Sequence, residues 1–152
     1  MPSQDYHEDE SLRVENERHA GIVVKDSKVL LLHRFKNGLE YYVFPGGHRR
    51  ISEKGEEVVI REIEEETAIV VSNPKLVINV KGDYDGKQED FYYLCDWVSG
   101  DEPRLNGEEV VRNCRENYFE PKWIDVSEIR NLDIKPLFAK KWLLENLSKV
   151  QT

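Results

Sequence analysis

The stretch Phe44–Val70, FPGGHRRISEKGEEVVIREIEEETAIV, changes pattern partway along: Pro-Gly-Gly stops an extended aromatic run, and apolar residues then recur at helical spacing among a dense set of glutamates. Wound at about 100° per residue, Val59, Ile60 and Ile63 form one stripe, which predicts an amphipathic helix over 52–67 with Ser52 as N-cap. Gly55 is a weak point in its first turn. Such a stripe must be buried against another layer.

The flanking sequence supplies that layer. HAGIVV reads as a strand, KDSK as a turn and VLLLHRF as a second, largely buried strand. Asn37-Gly38 between two apolar runs signals a hairpin, because both residues tolerate positive φ. YYVF is the third strand, and Pro45, Gly46 and Gly47 begin a loop. After the helix, KLVINVK and EDFYYLCDWV are strands around the turn GDYDG. A long polar stretch follows over 99–117, of a kind often functional. YFEPKWIDV is a last strand in which Pro121 requires an edge or a bulge. SEI opens a short helix, and PLFAKKWLLENL is an amphipathic closing helix with proline at its start. This order, without internal repeats, predicts an α+β fold: an α/β/α sandwich with a mixed β-sheet flanked by helices. Residues 1–16 are expected to form a flexible acidic tail and 17–152 a single domain.

Composition narrows the function. The 152 residues are 39% hydrophobic and 34% charged, with a formal net charge of -8, which fits a globular chain with a charged surface. The acidic balance and the lack of a basic stripe argue against long nucleic acid, while a small phosphorylated ligand remains compatible if cations mediate the contact. Cys95 and Cys114 show no CxxC spacing, so a reducing cytoplasmic setting is expected, with Cys95 in the core. The N-terminus lacks signal-peptide features and no apolar run approaches membrane-spanning length.

The glutamates remain to be explained. Glu62 and Glu66 border the apolar stripe with Glu65 one step further round, whereas Glu57, Arg61 and Glu64 project from the opposite side. Carboxylates packed this closely repel one another unless something positive lies between them. A lone arginine cannot offset Glu53, Glu62, Glu65 and Glu66 together. A divalent ion with oxygen ligands can, so a metal-binding cluster competes here with a merely solvated acidic face.

The same residues resemble the signature of the Nudix hydrolases (MutT-like nucleoside diphosphate-X pyrophosphohydrolases), G-x5-E-x7-R-E-U-x-E-E-x-G-U, where U is aliphatic. The pattern runs here from Gly47 through Glu53, Arg61, Glu62, Ile63, Glu65 and Glu66 to Ile69, and departs from the family only at Ala68, where the signature has glycine. Alanine in a left-handed helix cap costs about 1 kcal/mol if that backbone is kept. The resemblance implies a Nudix fold whose signature forms loop, helix and loop. It implies Glu62, Glu65 and Glu66 as metal ligands together with the Gly46 carbonyl, for magnesium or alternatively manganese. Glu53 would lie near the metals and help activate water, and Arg61 would orient the glutamates.

The activity so implied is hydrolysis of a pyrophosphate bond in a nucleoside diphosphate linked to another moiety, a nucleoside triphosphate or related small nucleotide being the expected substrate. Arg34, Gly47, His48, Arg49 and Arg50 are candidates for substrate binding. Tyr41, Tyr42, Tyr93, Phe119 and Trp123 are candidates for base stacking. Glu108, Glu109 and Glu116 are candidates for a further ligand or base. The array of NADH-cleaving members and the proline of ADP-ribose members are missing, and Tyr84 lies near a tyrosine of dinucleoside-polyphosphate members. Homodimerisation is left open. The competing reading is a Nudix-fold module that senses a nucleotide without cleaving it, against which stands the presence of Glu53, Glu62, Glu65 and Glu66.

Overall fold

A computed structural model of the chain describes residues 12–82, 87–105 and 117–150. Its central element is β1 (Arg13–Lys25), which serves two sheets. Through most of its length β1 pairs in parallel with β6 (Glu89–Ser99) and antiparallel with β4 (Gly46–Arg50), while β5 (Val70–Lys81) lies antiparallel on the outer side of β6. At its far end β1 turns into β2 (Lys28–Lys36), with Val24 opposite Val29 and Lys25 opposite Lys28. β2 is flanked by β3 (Leu39–Val43) and β7 (Asn117–Asp125), both antiparallel, and the two-residue β8 (Ile134–Lys135) adds in parallel to β3.

The helices cover both faces. α1 (Gly55–Thr67) packs over Val23, Leu30, Ile69, Val71, Tyr93 and Cys95 through Val59 and Ile63. On the other side a 3-10 helix (Val126–Asn131) joins α2 (Leu137–Glu145) and the short α3 (Leu147–Val150). Their Val126, Ile129, Ala139 and Leu143 bury Ala20, Ile22, Leu31, Phe44 and Tyr92. The predicted α+β fold with a mixed sheet between helices is the fold observed. Val29, Leu30 and Leu31 are all fully buried because β2 meets a core on each face, which is why VLLL does not alternate. Cys95 lies in the core, and burial pushes its thiol up to about 12, leaving it unreactive as a nucleophile.

The hairpins form as their turn residues dictate. Asn37 and Gly38 have φ of 52° and 81°, and Asp26 and Ser27, between β1 and β2, have φ of 52° and 61°. Pro121 sits on β7, which pairs only with β2 among the described residues, so its missing donor faces away from the ladder.

Several expected boundaries shift. β1 starts at Arg13, inside the segment expected to be a tail, because Arg13 and Val14 pair with Arg50 and Arg49. Gly46 and Gly47 begin a strand rather than a loop. GGHRR carries no apolar alternation, and its pairing depends on an approach so close that a Cβ on Gly46 would lie 2.5 Å from Ala20 Cα. α1 begins at Gly55 with Lys54 as its cap, not at Ser52, since Ser52 and Glu53 belong to a turn closed by the Glu53 N–H donating to Arg50 O at 2.9 Å. β5 starts at Val70, five residues before the apolar run suggested; Asn73, at φ 49°, and Pro74 interrupt the pattern at a register shift that an edge strand tolerates. Tyr84, Glu108, Glu109, Cys114 and Glu116 lie outside the described residues.

Candidate active site

The closeness of α1 to β1 is set by Gly21. A Cβ there would lie 2.5 Å from Ile63 Cδ1 and 3.0 Å from Val59 Cγ1, so the helix rests directly on strand backbone. The helix ends where the signature glycine is replaced: Ala68 adopts φ 63°, ψ 15° and donates its N–H to Glu64 O at 2.9 Å. The left-handed cap is thus kept despite the alanine. Thr67, fully buried, helps fix it, its hydroxyl donating to Ile63 O and accepting from the Ile69 N–H.

Arg61 organises the exposed flank. Its Nε donates to Glu53 Oε2 at 2.7 Å and its Nη2 to Glu53 Oε1 at 2.8 Å, a bidentate pair. Its Nη1 donates to Glu62 Oε1 at 2.7 Å and reaches Glu65 at 3.5 Å. Arg61 therefore does not point into solvent with Glu57 and Glu64, as its angular position suggests. A helical wheel places the Cα, whereas the guanidinium ends a long side chain that follows the nearest carboxylates. Glu53 also accepts the Arg50 N–H at 2.9 Å. Its hydrogen bonds from Arg61 hold its carboxyl below the ordinary value, outweighing burial, and Glu53 in turn raises the Arg61 guanidinium further.

Glu62 and Glu66, one turn apart, face the start of β4. A Cβ on Gly47 would lie 2.6 Å from Glu62 Cδ, and the Gly46 N–H donates to Glu66 Oε1 at 2.9 Å. The two glycines let the strand backbone lie against the carboxylates. On the outer side of α1, Glu57, Ile60, Glu64 and Glu65 border an open groove that reaches Arg61.

The other candidates divide. His48, Arg49 and Arg50 follow the glycines on β4, but Arg49 is held by both oxygens of Glu17 at 3.0 and 3.2 Å, and His48 Nδ1 lies 2.8 Å from Glu17 O. Arg50 keeps an exposed side chain. Arg34, on β2, bonds Asn117 Oδ1 at 3.0 Å and lies over the Phe119 ring, in register with Tyr41 on one side and Phe119 on the other. Tyr93 is not part of an exposed wall: it is buried under α1 with its hydroxyl 3.0 Å from His19 Nδ1. Tyr42 stacks on His33 at 4.3 Å. Trp123 packs beside the core under α1 and donates to Asp101 O at 2.8 Å. Sequence reasoning missed Glu17, which falls between the segment read as tail and the first predicted strand and carries no motif.

Among the described residues, no three His, Cys, Asp or Glu side chains close into a ready cation cage. The carboxylates are instead drawn toward Arg61 and the β4 backbone. Their chemistry fits a hard divalent cation all the same: the donors are oxygens, they carry several negative charges against one guanidinium, and Glu62 and Glu66 front the same glycine pair.

A family model for the NUDIX domain matches residues 15–145. The Nudix hydrolase YvcI of Bacillus subtilis is 31% identical over 121 residues, covering 76% of this chain and 69% of that protein. The ADP-ribose pyrophosphatase of Methanocaldococcus jannaschii is 43% identical over 51 residues, 33% of this chain and 30% of that protein. The NUDIX domain of Shewanella oneidensis NrtR, solved in complex with ADP ribose, superposes with a TM-score of 0.66 at 17% identity, over 95% of this chain and 96% of that one, a likeness of fold. The chain belongs to the Nudix family and is a hydrolase of the class that acts on nucleoside diphosphate derivatives. No helix among the described residues is long and apolar enough to cross a membrane.

Proposed function

We propose that the protein cleaves a pyrophosphate bond in a nucleoside diphosphate linked to another moiety, using magnesium, or alternatively manganese, held by Glu62, Glu65 and Glu66 with the Gly46 carbonyl. The observation that carries this reading is the Arg61 clamp: one guanidinium binds Glu53 bidentately, holds Glu62 against the Gly47 backbone and reaches Glu65. When bound, the ions neutralise phosphoryl oxygens and make a water nucleophilic near neutral pH.

The chain's own groups do the rest. Arg61 fixes the rotamers of Glu53 and Glu62 and so sets the direction from which these carboxylates would meet an ion. Glu53, held ionised by Arg61, is assigned a role beside the ions, where its charge would help activate the attacking water. Arg50, at the end of β4, is the cation assigned to the substrate's phosphates, because Arg49 is committed to Glu17. Tyr41, beside Arg34 on the neighbouring strand, is assigned to the nucleobase, whereas Phe119 is buried with Arg34 over its ring and is not.

The test is a product-resolved assay over nucleoside triphosphates, ADP-ribose, sugar nucleotides and dinucleotides in magnesium, manganese or chelator. ADP-ribose is included because the M. jannaschii relative is an ADP-ribose pyrophosphatase. Metal-dependent cleavage of one class, nucleoside triphosphates first, supports the reading. Tight nucleotide binding with no turnover would favour a sensor.

A further inference from the structure

The ladder between β1 and β4 breaks where it passes the signature loop: Val14 pairs with Arg49 and Arg18 with His48, with a register shift between Val14 and Arg18. Bulges of this kind re-aim a side chain. Here the side chain brought to Arg49 is that of Glu17, whose Oε1 accepts from Arg49 Nε at 3.0 Å and whose Oε2 accepts from Arg49 Nη2 at 3.2 Å. From the inner side, His19 Nε2 lies 2.9 Å from the same Oε1. A carboxylate only accepts, so Nε2 is the donor. His19 is itself fixed, buried to 3% exposure, stacked on Phe91 at 4.5 Å and 3.0 Å from the Tyr93 hydroxyl.

Arg49 passes this anchorage outward. Its Nη1 donates to Ile51 O at 3.3 Å and Glu53 O at 3.4 Å, the carbonyls of the turn from which the Glu53 side chain reaches Arg61. We infer that Glu17 is a positioning residue: acting through Arg49, it fixes the turn that presents Glu53 to Arg61 and thereby the orientation of Glu62. This rests on the hydrolase reading above. It assigns a purpose to the bulge and to a glutamate that lies outside the family signature.

The test measures turnover with magnesium and the nitrogen-proton spectrum of metal-free protein for Glu17→Gln, Arg49→Lys and their double variant. Each single variant is expected to lower kcat about tenfold with KM changed less than about twofold, and the double variant to be no worse than the more severe single one. The Arg61 Nε–H resonance should exchange faster in all three, although the route from Glu17 to Arg61 runs through Arg49 and Glu53. A folded Glu17→Gln protein with wild-type kcat and an unchanged Arg61 signal, alongside an inactive Glu62→Gln, overturns the inference and leaves the hydrolase reading standing. Full activity in Glu62→Gln overturns that reading and the inference with it. Should Glu17→Gln fail to fold, Arg49→Lys decides by the same two readouts.

Discussion

Arg61 and Glu53, eight residues apart, are joined by two parallel hydrogen bonds of 2.7 and 2.8 Å, which tie the middle of α1 to the turn before it. The pair fixes both the turn before α1 and, through Arg61, the direction of the Glu62 carboxylate proposed as a metal ligand. Arg61→Lys keeps the charge but cannot make the fork, so turnover should fall by about tenfold or more while circular dichroism stays that of the wild type. Unchanged kcat would show that the clamp does not orient the site.

The pair also predicts an acid-sensitive contribution to stability. The folded carboxyl of Glu53 lies below its ordinary value of 4.5, chiefly because of Arg61. A depressed pKa stabilises the fold at pH above the unfolded value, and that stabilisation is lost as pH falls through the folded one. Glu53→Gln should therefore be less stable than wild type at neutral pH, with the difference shrinking below about pH 4. Denaturant titrations across that range check it, and a gap that widens in acid would contradict the assignment.

Gly47→Ala places a Cβ 2.6 Å from the Glu62 carboxyl carbon. The flexible side chain can move aside, so the fold should survive while the ligand geometry does not. Activity is expected to drop about tenfold or more with little change in melting temperature. Loss of folding instead would mean that the strand cannot adjust.

Ala68→Gly restores the residue that the φ of 63° prefers. Stability should rise by up to about 1 kcal/mol, read from the urea midpoint, without a change in kcat. A loss of stability would show that the alanine methyl packs favourably enough to offset its backbone strain.

Much of this was legible in the residues themselves. The Val59–Ile63 stripe, the Asn37-Gly38 turn and the buried VLLL run each carry a local signal strong enough to survive folding, and they define the mixed sheet and the helix upon it. The start of β4 was hidden because glycine and basic residues pair there by backbone approach, without apolar alternation. The early part of β5 was hidden by Asn73 and Pro74, whose turn chemistry is absorbed by an edge bulge. At the site, spacing brought Glu62, Glu65 and Glu66 to one flank but set Arg61 on the opposite side, its orienting role coming only from the resemblance; Glu17 could not be read at all, since its partner Arg49 is 32 residues away and meets it only through the β1 bulge. The commitment of Arg49 to Glu17, rather than to a phosphate, was invisible for the same reason.

The most direct test of the central claim compares wild type with Glu62→Gln and Glu66→Gln on the best nucleotide substrate in magnesium, with Glu57→Gln as a surface control. Both substitutions keep the shape of the side chain and remove its charge. The account predicts a fall in kcat of about 100-fold or more for each, an unchanged fold and a nearly silent control. Wild-type turnover in either variant would contradict the assignment of these carboxylates as the metal-binding machinery.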